Sequence, residues 1–145
     1  MKKTIAQLLC MLFFISCGPG KSTAPSSANG KGYHEVIYYN LYNGSPKKSF
    51  RVIKNFEDYK AVFLPLNVKK IPKIDFETQN VLVLNVGKND KALYAVDVEK
   101  IIEDSNKLIV LLRKLDFPKE MADKKVNYYP ITIVKIKSKK DIILK

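Results

Sequence analysis

Val81–Val86 reads VLVLNV, a nearly unbroken apolar run of strand length. A strand open to water on one face alternates apolar and polar residues. A run without that alternation belongs to a central strand with both faces covered. The segments on either side repeat the β signal. Upstream, Glu35–Tyr42 (EVIYYNLY) is aromatic and β-branched, with Ile37, Tyr39 and Leu41 expected on one face, and Ser49–Ile53 (SFRVI) is a short strand. Downstream, Leu93–Ile102 begins by alternating, with Tyr94, Val96 and Val98 opposite Asp97 and Glu99. Lys107–Leu115 (KLIVLLRKL) is strongly apolar, and Ile131–Lys137 (ITIVKIK) is expected to close the fold as its last strand.

Turn chemistry separates these runs. Asn43-Gly44 has Pro46 just beyond it, and Gly87-Lys88-Asn89-Asp90-Lys91 reads as a loop or hairpin turn. Asp104-Ser105-Asn106 is the next turn, and Asp116–Asn127 is a charged loop containing Pro118. One segment has helical spacing. Asn55 stands where an N-cap would, Glu57 and Asp58 suit the positive end of a helix dipole, and Tyr59, Val62 and Phe63, with Phe56, share one face. Pro65 should stop this helix after about two turns. The expected fold is therefore mainly β (β-rich α+β): a mostly antiparallel sheet or sandwich of six or seven strands with one short helix over about 55–64.

The N-terminus carries a different signal. Lys2 and Lys3 precede a mostly apolar tract, Thr4–Ser16 (TIAQLLCMLFFIS). A membrane-spanning helix needs about 20 apolar residues, so this shorter tract fits the h-region of a secretory signal peptide. It ends in Phe14-Ile15-Ser16-Cys17-Gly18, which resembles a bacterial lipobox with Phe14 where the motif favours Leu. On that reading, residues 1–16 are a signal peptide and the Cys17 sulfur carries the lipid. The alternatives are ordinary cleavage after a small residue, or an uncleaved anchor, with Cys17 as a free thiol. Several acyl chains on one residue satisfy the need for more than one chain in stable anchoring. Residues 18–32 (GPGKSTAPSSANGKG) are small, polar or Pro/Gly. They form a flexible tether with a reach of about 20 Å. The expected organisation is signal peptide 1–16, lipidated Cys17 and linker 17–32, and a single domain 33–145. A domain of that length buries roughly two-thirds of its extended surface, enough for one core.

Composition narrows the chemistry. The chain of 145 residues holds 26 Lys plus Arg, 14 Asp plus Glu, one His and two Cys, at a formal charge of +12. Lys2 and Lys3 leave with the signal peptide, which brings the charge to +10, and Cys10 leaves with it. Only Arg51 and Arg113 are arginines. Sequence-specific base reading favours Arg, so the dispersed Lys excess does not point to a specific nucleic acid. It fits a soluble surface, or diffuse attraction to anionic lipid or polymer. His34 has neither a second His nor a remaining Cys with which to share a metal, and it is expected to be a solvated surface residue. Asp75 is expected to be a turn or cap residue. The pairs Glu57/Asp58 and Glu103/Asp104 are adjacent in sequence, so their side chains diverge. No phosphate-binding glycine motif is present. The expectation is a protein with no enzymatic activity, no cofactor, no metal and no small-molecule substrate.

Three segments, taken in order, carry a resemblance. They are Phe50–Phe63 (FRVIKNFEDYKAVF), then Pro72-Lys73-Ile74-Asp75-Phe76 with Val81–Gly87 (VLVLNVG), then Tyr129–Ile136 (YPITIVKI). Their order and spacing resemble the PrcB C-terminal domain family, known from accessory lipoproteins of surface protease complexes, over about residues 36–137. Family members often carry a Thr-Gly-Gly-Tyr type turn before the fifth strand. Here Gly87–Tyr94 keeps the tyrosine and lacks the glycine pair.

The resemblance implies a binding domain that stabilises or inhibits an extracytoplasmic protease complex. Its contacts would come from loops at one end of the sheet: Gly87, Lys88, Asn89, Asp90, Lys91 and Tyr94 in one, and Phe117, Pro118, Tyr128 and Tyr129 in the other. The expected location is the bacterial cell envelope, tethered to a membrane through Cys17 (the outer membrane in a Gram-negative cell), with the domain extracytoplasmic. The alternative is a Lys-rich binder of anionic envelope lipid or polymer.

Overall fold

The computed structural model describes residues 32–89, 93–121 and 126–145. The elements among them are β1 (His34–Asn40), β2 (Ser49–Ile53), α1 (Phe56–Phe63), β3 (Asn80–Asn85), β4 (Tyr94–Asp104), β5 (Lys107–Asp116), β6 (Ile131–Ile136) and β7 (Asp141–Leu144). Single 3-10 turns cover Leu64–Leu66 and Lys119–Met121. Four strands form one sheet in the order β1-β6-β3-β2, and three form a second in the order β4-β5-β7. Every pair is antiparallel except β5–β7. The β-rich, mostly antiparallel expectation holds.

The unbroken apolar run has a simple cause. β3 lies inside the larger sheet, and that sheet is the middle of three layers. Leu82, Leu84, Val134 and Ile136 face the smaller sheet, meeting Val96, Val98, Leu108 and Val110. Val81, Val83, Ile131 and Ile133 face the other way, onto Tyr59, Val62 and Phe63 of α1 and Leu66 beyond it. Each side chain fully buried this way contributes about 1.5–3 kcal/mol. Alternation therefore persists in geometry but vanishes from composition, because both faces are core.

α1 begins as expected. The Asn55 side chain accepts the Asp58 N–H at 2.9 Å and donates to the Asp58 carboxylate at 2.7 Å. The α-helix stops at Phe63, and Pro65 sits inside the following 3-10 turn, which ends on Asn67 in the left-handed region. Phe56 departs from expectation: it is 55 % exposed. Side chains lean toward the helix N-terminus, so a ring at the first helical position overhangs the layer beneath it.

The other departures also have local causes. A bulge between Val36 and Tyr38 turns both Ile37 and Tyr38 onto the helix-side core and leaves Tyr39 exposed, breaking the expected Ile37/Tyr39/Leu41 face. The Asn43-Gly44 turn joins strands at opposite edges of the sheet rather than neighbours. Of the two readings of Gly87–Lys91, loop or hairpin turn, the loop is the one that fits, since β3 and β4 belong to different sheets. His34 is half-buried within β1, and its Nδ1 makes no hydrogen bond among the described residues. Asp97 lies on the face of β4 opposite Val96 and Val98, as expected, but it is buried there. It accepts the Val98 N–H at 2.7 Å and lies 3.4 Å from the Arg113 guanidinium. Finally, Ile131–Lys137 does not close the fold. β7 follows it, pairs parallel to β5, and packs Ile142 and Leu144 against the inter-sheet core.

Candidate functional site

Three loops meet at one end of the layered sheets, and each is positioned by the strand it leaves. The β3–β6 ladder extends by one bond, from the Val86 N–H to the Pro130 carbonyl at 2.9 Å. Gly87 follows with φ +84, a conformation that L side chains rarely adopt. A Cβ there would lie 2.7 Å from the Lys48 nitrogen and 2.9 Å from the Pro46 oxygen. Lys88 then donates to the Pro46 carbonyl at 3.0 Å, and Asn89 donates its backbone N–H to Tyr128 at 2.9 Å. The Asn89 side-chain amide donates to the Tyr94 carbonyl at 3.1 Å. Phe117 donates to the Leu93 carbonyl at 3.0 Å. The two segments expected to form the contact surface are thus joined by main-chain bonds.

The third loop, residues 41–48, was not among the expected contact residues. Tyr129 donates to Leu41, and Gly44 donates back to Tyr129, each at 2.8 Å. Asn85, at the end of β3, is the tie. Its oxygen accepts the Ser45 N–H at 2.9 Å, and its amide nitrogen reaches the Ser45 carbonyl, the Ser45 hydroxyl and the Lys47 carbonyl at 3.0, 2.9 and 2.7 Å. A buried side-chain amide with every partner supplied holds a loop in one geometry. The signal was present in VLVLNV: one polar residue in a run that is otherwise core.

The expected contact residues divide by exposure. Gly87, Asn89 and Tyr128 are buried scaffolding, and the Tyr128 hydroxyl donates to Met121 at 3.0 Å. Tyr94, Phe117 and Tyr129 are half-buried. Lys88 and Pro118 face solvent, joined by Tyr42 and Met121, each 54 % exposed. The Tyr42 ring lies 5.5 Å from that of Tyr128. Asp90, Lys91 and Cys17 lie outside the described residues.

Tyr94 also opens onto a groove of about 540 Å³ between the two sheets. Phe50, Val96, Leu112 and Leu144 line it, with Lys48, Arg113, Lys114 and Lys145 around it. The Lys48 ammonium stands 4.9 Å from the Phe50 ring centroid, and that of Lys114 stands 4.6 Å from Tyr94. Such contacts hold a cation over an aromatic face while leaving its outer side available.

The acidic candidates have structural roles. The Asp75 carboxylate accepts the Glu77 N–H at 3.0 Å and the Thr78 hydroxyl at 2.7 Å, a turn that feeds β3. The Thr78 bond first, then the Glu77 bond, holds its pKa below the usual value. Glu103 receives Lys140 at 2.6 Å and the Tyr33 hydroxyl at 2.5 Å, and both lower its pKa. Among the described residues, no group of three His, Cys, Asp or Glu side chains is placed to hold a metal.

No family model matches the chain, and neither the curated proteins nor the solved structures contain a match to it.

Proposed function

We propose that this chain is a lipid-anchored protein of the bacterial envelope whose β-rich domain binds a protein partner without catalysing a reaction. The partner class follows from the resemblance to PrcB-type domains: an extracytoplasmic protease complex, which the domain stabilises or inhibits. Cys17 is the anchor, the segment to residue 32 is the tether, and the loop end of the domain is the contact surface. The observation that carries this reading is the convergence of the segments around Asn89 and Tyr128 at one end of the sheets. Tyr42, Lys88, Pro118 and Met121 project from that end over a hydrogen-bonded base. A rigid base beneath exposed aromatic and apolar side chains lowers the ordering cost of association.

The test is co-purification of the full chain from detergent-solubilised membranes. A stoichiometric protease, and altered surface proteolysis on deletion of the gene, are the expected results. Absence of any partner together with unchanged proteolysis would refute the reading.

The second reading, a binder of anionic envelope lipid or polymer, draws on one feature, the basic rim around the groove. Its affinity would fall steeply with salt, whereas a protein interface with an apolar centre is much less sensitive.

A further inference from the structure

The larger sheet carries a second cavity, on the face away from the smaller sheet. It holds about 390 Å³ and is lined by β2, β3, the end of α1, the turn after it and the 41–48 loop. Pockets that take small groups begin at about 300 Å³. Its floor is core, since Val62, Leu66, Val83 and Ile131 are all buried. Its loop wall is fixed, because Asn85 bonds both Ser45 and Lys47. The cavity is therefore formed before anything enters it.

The polar lining has one sign. Phe50 and Val52 of β2 pack toward the inter-sheet core, so Ser49 and Arg51 belong to the opposite face, where they line the cavity. Of the described residues that line it, Arg51 alone is charged. Its guanidinium has no carboxylate partner among the described residues, and neither it nor the Ser49 hydroxyl bonds any of them. The remaining polar side chains are already engaged. Asn85 and Ser45 bond each other and the Lys47 carbonyl, and the Asn43 amide donates to the Tyr38 hydroxyl at 3.3 Å. Two unspent donors with no acid beside them make an anion site, and the planar guanidinium fork matches a carboxylate.

Position narrows the anion. Arg51 pairs across the β2–β3 ladder with Val83, and Ser49 with Asn85. Cross-strand neighbours stand about 5 Å apart, so the donors and the apolar floor lie within reach of one residue. An inorganic anion, or an Asp or Glu side chain, would meet the donors and leave the floor uncovered. The last residue of a polypeptide carries its carboxylate and its side chain on one Cα, and satisfies both. The turn that supplies Leu66 also carries Leu64, 73 % exposed, which gives the preceding residues of such a chain an apolar surface to lie on.

We propose that this cavity receives the C-terminal residue of a partner polypeptide, with the carboxylate on Arg51 and Ser49 and an apolar side chain over Val62, Val83 and Ile131. Carboxylate capture supplies orientation, and the floor selects the side chain. The inference rests on the binding-module reading above and adds the chemical feature that is recognised. The cavity shares the 41–48 loop with the candidate contact surface, so one partner can occupy both.

The experiment titrates the full chain in detergent with fluorescent peptides of about six residues that end in leucine or in glycine, each with a free or an amidated terminus. Saturable binding of the free leucine peptide is expected. Amidation, or the glycine ending, should weaken it by about tenfold or more. Arg51→Met removes the charge at an exposed position on an edge strand, so the fold should persist, as a circular dichroism melt will check. It should weaken the free peptide to the level of the amidated one, and amidation should then cost nothing further. Equal affinity of the free and amidated peptides overturns the proposal without relying on any variant. So does the absence of saturable binding, competition by N-acetyl-leucine as tight as the peptide itself, or capture of the chain by anionic vesicles in place of the peptide. If a protease co-purifies equally with wild type and a folded Arg51→Met variant, this inference fails while the proposed function stands. If no partner co-purifies but the peptide binds through Arg51, the reverse holds.

Discussion

The backbone N–H of Asn89 donates to the carbonyl of Tyr128 at 2.9 Å, across 39 residues of sequence, and so fastens the loop that follows β3 to the loop that precedes β6. The two segments belong to one surface because β3 and β6 are neighbours in the same sheet. Their shared end is the candidate contact site.

The base of that site should be sensitive to small changes. Asn85→Ala strips the Ser45 N–H and the Lys47 carbonyl of their partner and should cost about 1–3 kcal/mol. Gly87→Ala forces a Cβ to within 2.7 Å of the Lys48 backbone at a positive φ, and should cost at least about 1 kcal/mol. Urea midpoints of the two variants check both values.

The helix layer should separate its two aromatic ends. Phe63 is buried and stacks edge-on against Tyr38 at 5.8 Å and Tyr59 at 5.0 Å. Phe63→Ala should lose about 3–5 kcal/mol. Phe56→Ala should stay within about 0.5 kcal/mol of wild type, as an exposed position does. Chemical denaturation of the pair decides whether Phe56 belongs to the core.

Acid should destabilise the domain through three carboxylates. Asp75, Glu103 and Asp141 all have lowered pKa values, from the bonds to Thr78, Lys140 and Lys54 respectively. Each therefore binds protons more weakly when folded. Its stabilising contribution is complete above the ordinary carboxylate range and is lost as pH falls through the lowered folded value. Glu103→Gln should flatten part of the acid limb of a stability–pH curve. At the alkaline end, burial pushes Tyr59 up to about 12. Its contribution is present below the usual tyrosine value and is lost as pH rises through about 12, so Tyr59→Phe should flatten that limb.

The anchor has its own test. Cys17→Ala should abolish labelling by a fatty-acid probe and release the chain from sedimented membranes. Retained labelling would contradict the lipid reading.

Much of this organisation was legible in the chain, for reasons particular residues make clear. VLVLNV announced two-sided burial, and Asn55 with its following acids announced a helix start, because both signals are local. The bulge at Ile37 was not legible, since EVIYYNLY looks the same with or without one extra residue against its partner. β7 was hidden because DIIL is short and follows the lysine cluster Lys137–Lys140, which reads as a solvated end. At the candidate site, turn chemistry placed the segments around Gly87–Tyr94 and Asp116–Asn127 as loops, with a contact role expected only through the family resemblance, but it could not bring in the 41–48 loop. Its membership depends on Asn85 reaching across to Ser45, a contact over 40 residues. The basic groove was equally hidden, because it joins Lys48 and Phe50 to Tyr94, Lys114 and Leu144 from separate strands.

The central claim is that the loop end binds a protein partner. Photocrosslinking in intact cells tests it most directly, with a photoreactive amino acid placed singly at Tyr42, Pro118 or Met121 and, as the control, at exposed Phe56 on the helix layer. The account predicts one common protein adduct from the three loop positions and none from Phe56. Adducts of equal yield from Phe56, or no protein adduct from any loop position, would contradict it.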